Sequence, residues 1–397
     1  MKALFVHDCR FVQMESGVFS NHFPYETFGR YLTVFDELTV VGRRDWTDRE
    51  KSSSLRTSSG PGVSFIFLPN LSSPRAFMGP RRQAAIALRR LIDAHDILIF
   101  RLPSELGLLA ASVARHHGRD HVVELVGCCW DALRNHGTAL GRIYAPVQFM
   151  RVRHAVRCAR FVSYVTERFL QHRYPPGPSS LTTSISDVEI PAADENASIT
   201  PDRVIATRDG RTTVGVIGSM FVPYKGIDIG IKAIGKLVAM RQDVELRVLG
   251  GGNALPYADL AKSLGISDRV IFDGTLPAGE AVFSWLDEID IYIQPSRQEG
   301  LPRALIEAMS RECPAVGSAV GGIPELLPEE FVFKPGASGH LAEILDRMIK
   351  SSSMRQQASR RNRGRAQEFR PDVLDARRRK FLIDIAHHAI AARRGKG

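Results

Sequence analysis

Thr213-Val214-Gly215-Val216-Ile217-Gly218-Ser219-Met220-Phe221-Val222-Pro223-Tyr224-Lys225-Gly226 opens the more regular half of a 397-residue chain. Thr213–Ile217 has the short, β-branched composition of a buried strand. Gly226–Met240 then repeats Ile227, Ile231, Ile234 and Val238 on one helical face. A strand that runs through a glycine turn into a helix makes a place for an anion. The first N–H groups of the helix are unpaired and its dipole favours negative charge there. Lys225 adds a point cation suited to a diphosphate.

The rhythm continues outward from this stretch. Val244–Leu249 reads as a strand ending at Gly250-Gly251-Gly252, followed by strands at Val270–Phe272, Ile289–Ile293 and Ala315–Gly317. A helix is expected to begin near Pro302, a favoured first helical position, with further helices over 338–350 and 371–394. The first half reads more loosely as strands at Ala3–Val6, Glu37–Val41, Ser64–Leu68, Asp96–Phe100, His121–Val126 and Arg160–Val165. Helices are expected at Gly79–Ala94 and Ser104–His116. Strands alternating with helices predict an α/β protein with parallel sheets. Residues 174–212 are rich in Pro, Gly, Ser and Asp and mark the domain boundary. The expectation is two Rossmann-like α/β/α domains, 1–195 and 196–370, facing a deep cleft.

Two more loops carry chemistry. Gln294-Pro295-Ser296-Arg297-Gln298-Glu299-Gly300-Leu301-Pro302-Arg303-Ala304-Leu305-Ile306-Glu307 follows a strand and opens a helix. Acids beside a phosphate-binding helix start would repel phosphate, but they suit hydroxyls, which donate short bonds to carboxylates. Of Glu299 and Glu307, one therefore reads as a ligand for a sugar ring and the other for a ribose. Glu307 has a plainer reading as a charge matched to the helix dipole. Gly317-Ser318-Ala319-Val320-Gly321-Gly322-Ile323-Pro324-Glu325 is a third anion-ready turn, with Gly321 and Gly322 expected at positive φ or against a ligand.

Composition narrows the class. Hydrophobic residues make up 44% and charged residues 24%, which excludes a disordered chain or a small disulfide scaffold. No apolar run reaches the length of a membrane span. Met1–Val6 turns polar at His7-Asp8, too short for a secretory segment, and reads as a strand. The five cysteines show no Cys-x-x-Cys spacing, which points to a reducing cytosol. The net charge of +10 is unevenly placed. Residues 351–397 hold thirteen Lys/Arg against four acids, and residues 134–173 hold eight Arg against Glu167 alone.

The Lys-Gly at a helix start, the Glu299/Glu307 pair across Gly-Leu-Pro, and the Gly-Gly-Ile-Pro-Glu turn together resemble the glycosyl transferases group 1 family (family four). The resemblance runs most clearly over 213–350. Phe23-Pro24-Tyr25-Glu26, Arg101-Leu102-Pro103-Ser104 and Trp130-Asp131-Ala132-Leu133-Arg134-Asn135-His136-Gly137 resemble its bacterial polysaccharide-assembly branch. The resemblance implies a GT-B fold, with a C-terminal helix, 371–397, crossing back onto the N-terminal domain. It implies a retaining glycosyltransferase whose nucleotide-sugar donor, UDP- or GDP-linked, is a substrate, so that no cofactor is expected. It implies that Lys225 and Glu299 act at the reacting centre and that Gly218, Ser219, Gly300 and Leu301 line the donor. Glu307 would hold the ribose, and Gly274, Thr275 and Leu276 would lie near the base.

Many members carry Arg directly after the glycine matching Gly218. Here Ser219 stands there and the loop to Lys225 is one residue longer, so Arg297 or Arg303 is the candidate replacement. Members also tend to have an early Gly-Gly turn, where this chain has Ser20-Asn21-His22, with Asn tolerant of left-handed backbone. No Asp-x-Asp motif closes a strand. The reaction is therefore expected to be metal-independent, with Lys225 and a helix dipole stabilising the leaving diphosphate.

On the acceptor side, Asn135 and His136 follow the strand at 121–126, and His136 is placed to orient or deprotonate a hydroxyl. Tyr144, Phe149, Phe161 and Phe169 among the arginines of 142–173 read as an anchor on an anionic membrane surface. The expected acceptor is a glycan or lipid-linked glycan in cell-surface polysaccharide assembly. The expected location is cytoplasmic, on the inner face of the plasma membrane. The two basic blocks would form one face on the N-terminal domain. The alternatives are a non-catalytic nucleotide-sugar-binding protein or an Arg-rich nucleic-acid binder. The latter lacks any recognition motif, so no nucleic-acid partner is expected.

Overall fold

The computed structural model describes residues 1–45, 55–72, 79–135, 138–190 and 210–394. The chain divides into two compact units, Met1–Asp187 with Asp375–Gly397, and Val188–Leu374. The first unit ends a few residues before the expected 195. Val188 and Ile190 are already buried with Leu249, Phe283 and Tyr292 in a core of the second unit. The expected basic block at 351–397 is shared between the units, with only its part from Asp375 in the first.

In the first unit seven parallel strands lie in the order Val63–Phe67, Glu37–Asp45, Lys2–Met14, Ile97–Leu102, Val122–Leu125, Phe161–Tyr164 and Leu181–Ser184. The first strand continues well beyond the expected Val6, with a register shift between Val6 and Arg10. Past that shift, Gly17–Ser20 adds antiparallel and Arg56–Thr57 pairs with it. One sheet face is covered by helices Gly79–Ala94 and Glu105–His116, which bury Ala84, Leu88, Ile92, Leu106 and Ala110. Ser104 caps the second of these by accepting from Gly107 N–H at 2.9 Å, a bond that typically stabilises a helix by about 1 kcal/mol. The other face is closed by Tyr25–Leu32 and by the C-terminal helix Pro371–Arg394. That helix sets Phe381, Leu382, Ile385 and Ala386 in one core with Ala3, Phe5 and Phe161.

In the second unit six parallel strands run in the order Val270–Gly274, Val244–Leu249, Thr212–Ile217, Ile291–Gln294, Ala315–Ser318 and Val332–Phe333. Helix Ile227–Ala239 buries Ile227, Ile231, Ile234 and Leu237 against Val214, Val216 and Leu246. Arg303–Ser310 covers the opposite face with Leu305, Ile306 and Met309. Among the described residues no helix is long and apolar enough to cross a membrane.

Candidate active site

The second unit's sheet reverses its winding at Thr212–Ile217, which has Val244–Leu249 on one side and Ile291–Gln294 on the other. Such a reversal leaves a crevice at the carboxyl ends of the strands, where ligands bind in open α/β sheets. The loops after Ile217, Leu249 and Gln294 all begin there.

Gly226 sets how two of these loops meet. Its φ is +71°, and a Cβ there would lie 1.9 Å from the Pro295 carbonyl oxygen. No side chain fits, and the left-handed turn needs glycine. Three further contacts fix the same junction. Arg297 N–H donates to Tyr224 O at 2.7 Å, and Arg297 Nη1 donates to Pro223 O at 2.9 Å. The guanidinium also grips Asp228 bidentately, with both bonds at 2.7 Å. Burial would raise the Asp228 carboxyl, but Arg297 and then Lys232 outweigh it and hold it below the usual carboxylate range. This corrects the expectation for Arg297. Its charge is engaged by Asp228 and by the loop, so it serves as a brace and not as an open donor cation.

Lys225 passes over Gly218, where a Cβ would sit 3.0 Å from the lysine's own Cβ. Its Nζ reaches Glu299 Oε1 at 2.8 Å. The same oxygen accepts from Ser296 Oγ at 2.7 Å and from Gln294 Nε2 at 3.0 Å. Gln294 and Ser296 are buried. Tyr292 O–H donates to Gln294 Oε1 at 2.7 Å, which fixes the amide so that its NH2 faces Glu299. Three donors thus converge on Oε1. Among the described residues none meets Oε2, which stays available to a ligand hydroxyl. Gly321, at φ +55°, packs onto the Glu299 carbonyl, where a Cβ would be 2.2 Å from the oxygen. Gly322 has an ordinary φ of −83°, so only the first glycine of the pair is left-handed. Gly322 N–H donates to Gly300 O at 2.7 Å, and Leu301 packs on the core beneath.

Glu307 lies in the second turn of Arg303–Ser310. It accepts no hydrogen bond among the described residues, and its Oε1 is 3.9 Å from Arg303 Nη1. Burial raises its pKa, with Arg303 only partly opposing. A sheltered carboxylate without donors is matched to a ligand bearing hydroxyls. Arg303 is exposed beside Glu307. Ser219 Oγ accepts from Phe221 N–H at 3.2 Å and brings no charge. Gly274, at φ +72°, accepts from Gly250 N–H at 2.6 Å. Leu276 and Phe221 are exposed apolar side chains of this edge, Phe221 at 80%.

Sequence reasoning missed Gln294, Ser296 and Phe221. The first two had a legible signal, since polar residues directly close an otherwise apolar strand.

The first unit has its own reversal between Lys2–Met14 and Ile97–Leu102. Asp8 there accepts from the N–H groups of Glu105 and Leu106 at a helix start. His7 lies beside it, its ring 5.4 Å from Phe23 and its Nδ1 buried without a partner. Burial, then Arg101 and Arg43, pushes the His7 pKa down to about 3, so the ring is neutral. Arg101 pairs with Asp187 and, at 3.2 Å, with Glu124, and stands 5.5 Å over Phe23. Glu124 also accepts from Tyr31 O–H at 2.8 Å, as befits a structural group. At Ser20-Asn21-His22 the hydroxyl of buried Ser20 accepts from His22 and Phe23 N–H and shapes the turn. Asn21 is not left-handed. Asn135 ends helix Cys129–Asn135, and His136 lies outside the described residues.

The aromatic anchor expected among the arginines is corrected as well. Phe161 is in the core, and Phe149 packs against Trp130 and Tyr174. Tyr144 O–H donates to Glu105, and Phe169 lies against the core beside Arg173. Arginines of the C-terminal block are largely engaged, as in Arg355 to the carbonyls of Met348 and Ile349 and Arg363 to Glu312. Among the described residues no three His, Cys, Asp or Glu side chains gather where they could hold a metal ion.

Residues 202–365 match the family described as Glycosyl transferases group 1. Protein CapJ of Staphylococcus aureus is 29% identical over 97% of this chain and 95% of its own. A GDP-mannose-dependent alpha-(1-6)-phosphatidylinositol monomannoside mannosyltransferase of Mycolicibacterium smegmatis is 28% identical over 76% of this chain and 77% of its own. The structure of HepE from Anabaena in complex with UDP superposes with a TM-score of 0.64 at 18% identity, covering 97% of this chain and 100% of that one. The fold is GT-B, and the protein is a glycosyltransferase. Its similarity to the glycosyl transferases group 1 family is carried by the unit that holds the Lys225–Glu299 site, where the matched segment lies.

Proposed function

We propose that this glycosyltransferase moves a sugar, with retention, from a nucleotide-diphosphate sugar to a glycan or lipid-linked acceptor in cell-surface polysaccharide assembly. The observation that carries this reading is the Glu299 carboxylate. Three donors, one of them a lysine at a switch-point crevice, hold one oxygen, while among the described residues the other accepts from none. Lys225 would exchange Glu299 for the donor diphosphate and neutralise the charge that develops as it leaves, so no metal is invoked. Glu299 Oε2 and Glu307 would accept from sugar and ribose hydroxyls, with the backbone at Gly218, Gly300 and Leu301 close to the donor. Arg303 would supply the cation that Ser219 does not, and Leu276 with Phe221 would flank the base near Gly274. Asn135 and His136 are proposed on the acceptor side.

The family supports retention. The names of the relatives support the substrate classes: HepE is described with UDP, and the mycobacterial relative as a GDP-mannose-dependent phosphatidylinositol monomannoside mannosyltransferase. CapJ, by its name and its full-length similarity, favours a capsule-type polymer. We place the enzyme in the cytoplasm, peripheral to an anionic inner membrane face. A thermal-shift and hydrolysis screen over UDP- and GDP-sugars tests the donor reading. One donor should stabilise the wild type and not Lys225→Ala or Glu307→Ala. Equal stabilisation of all three proteins would overturn the site.

A further inference from the structure

Helix Ala139–Cys158 is two-sided in an unusual way. Ala145, Val152, Ala155 and Val156 are buried against the first unit's core, and the opposite face is bare. Leu140, Ile143, Val147 and Met150 are 67%, 73%, 52% and 62% exposed. Their spacing of three, four and three residues puts them in one stripe. A contiguous apolar stripe on a protein surface marks an interaction site. The question is what covers it.

The charges beside the stripe answer this. The helix contains no acidic residue. Arg142, Arg153 and Arg157 are exposed, make no ion pair among the described residues, and fall along one border of the stripe. On its other border a cavity of about 140 Å³ is lined by Arg81, Arg115, Arg151 and His154. Glu105 pairs there with Arg151 and Arg81. An apolar row between basic borders fits one surface well. The apolar side chains enter the acyl boundary while arginine stems lie along it and their heads meet anionic headgroups.

We infer that the Leu140–Met150 stripe is the surface by which this enzyme docks on an anionic lipid bilayer, with Arg142, Arg153 and Arg157 reading the headgroup charge. The inference deepens the proposal of a lipid-linked acceptor and replaces the inward-facing aromatic residues as the contact. The four apolar residues are solvent-exposed, so changing them leaves the core intact.

The test uses the full chain with vesicles of phosphatidylglycerol and phosphatidylcholine against phosphatidylcholine alone, at low and high salt. The wild type should co-sediment with the anionic vesicles and be released by salt. Ile143→Glu/Met150→Glu, and separately Arg153→Glu/Arg157→Glu, should each weaken binding roughly tenfold or more. A fluorescent reporter, Ile143→Trp, should shift to the blue on anionic vesicles only. Thermal stabilisation by the donor should be unchanged in both charge variants, which separates failure here from failure of the donor site. Vesicle binding by Ile143→Glu/Met150→Glu equal to wild type would overturn the inference. So would a wild-type dimer in solution that the same change makes monomeric, since the stripe would then belong to a second copy.

Discussion

Lys225 Nζ lies 2.8 Å from Glu299 Oε1, although 74 residues separate them in the chain. The pair joins the loops that follow two neighbouring strands, Thr212–Ile217 and Ile291–Gln294. Because Gln294 and Ser296 also donate to the same oxygen, Glu299 does not need Lys225 to stay in place. The lysine is therefore held but replaceable, as the proposed exchange of Glu299 for an arriving diphosphate requires.

Replacing Lys225 by Ala should accordingly leave the fold nearly as stable as before, because the pair is partly exposed and such pairs contribute about 0–1 kcal/mol. Transfer should fall on the order of 100-fold to 1000-fold, the range for loss of one group that stabilises a developing charge. Steady-state kinetics with the preferred donor checks this alongside a melting curve. A large loss of stability with unaltered turnover would reverse the assignment.

Arg297→Ala should behave in the opposite way. It removes the bidentate bond to Asp228 and the guanidinium's bond to Pro223 O, while the backbone bond to Tyr224 O remains, so melting should drop by the equivalent of about 1–2 kcal/mol after allowing for solvent screening. The Asp228 carboxyl is held low in the fold, so its contribution is present at neutral pH. It is lost as pH falls through that lowered value. The wild-type advantage over Arg297→Ala should therefore shrink in acid, with donor KM rising more than kcat falls.

Glu307 should show function traded against stability. Its carboxyl is raised by burial, so the fold favours the neutral form and loses that preference as pH rises through the raised value. Glu307→Gln should melt about 1–3 °C higher at neutral pH, the gap closing in acid, while donor affinity falls at least tenfold. Calorimetry at two pH values and donor titration measure both halves.

His7 should not titrate near neutrality. With its pKa pushed down to about 3, the folded protein prefers the neutral ring. Stability from this group is complete above the ordinary histidine value of 6.5 and declines progressively as pH falls toward 3. His7→Gln should flatten this acid limb in urea unfolding measured at pH 7 and about 4.5. An unchanged slope would show that His7 is not the group responsible.

Much of the site was legible before any coordinates. Gly226 and Gly321 declared themselves as glycines at a strand end before a helix, and each proves to press on backbone from another loop, at Pro295 and Glu299. Lys225, Glu299 and Glu307 stood out by residue type beside helix starts. Arg297 misled, because an arginine in a phosphate-type loop reads as a ligand cation until its partner is seen. Asp228 is distant in sequence, and no local pattern couples the two.

The sequence by itself determined the alternating α/β architecture, because apolar periodicity and glycine turns act over a few residues. It also determined which residue types meet at the strand ends. Only the tertiary structure decided which charges are tightly paired: Arg297 is gripped bidentately by Asp228, whereas Arg303 stays exposed beside Glu307, and Glu299 is held by three donors through Oε1 alone. It also packed Phe149, Phe161 and Phe169 on the core, tied Tyr144 to Glu105, and left Leu140, Ile143, Val147 and Met150 outside. The reason is physical. A side chain's local pattern says that it prefers burial or a partner. Only long-range packing supplies the neighbour that grants or denies it.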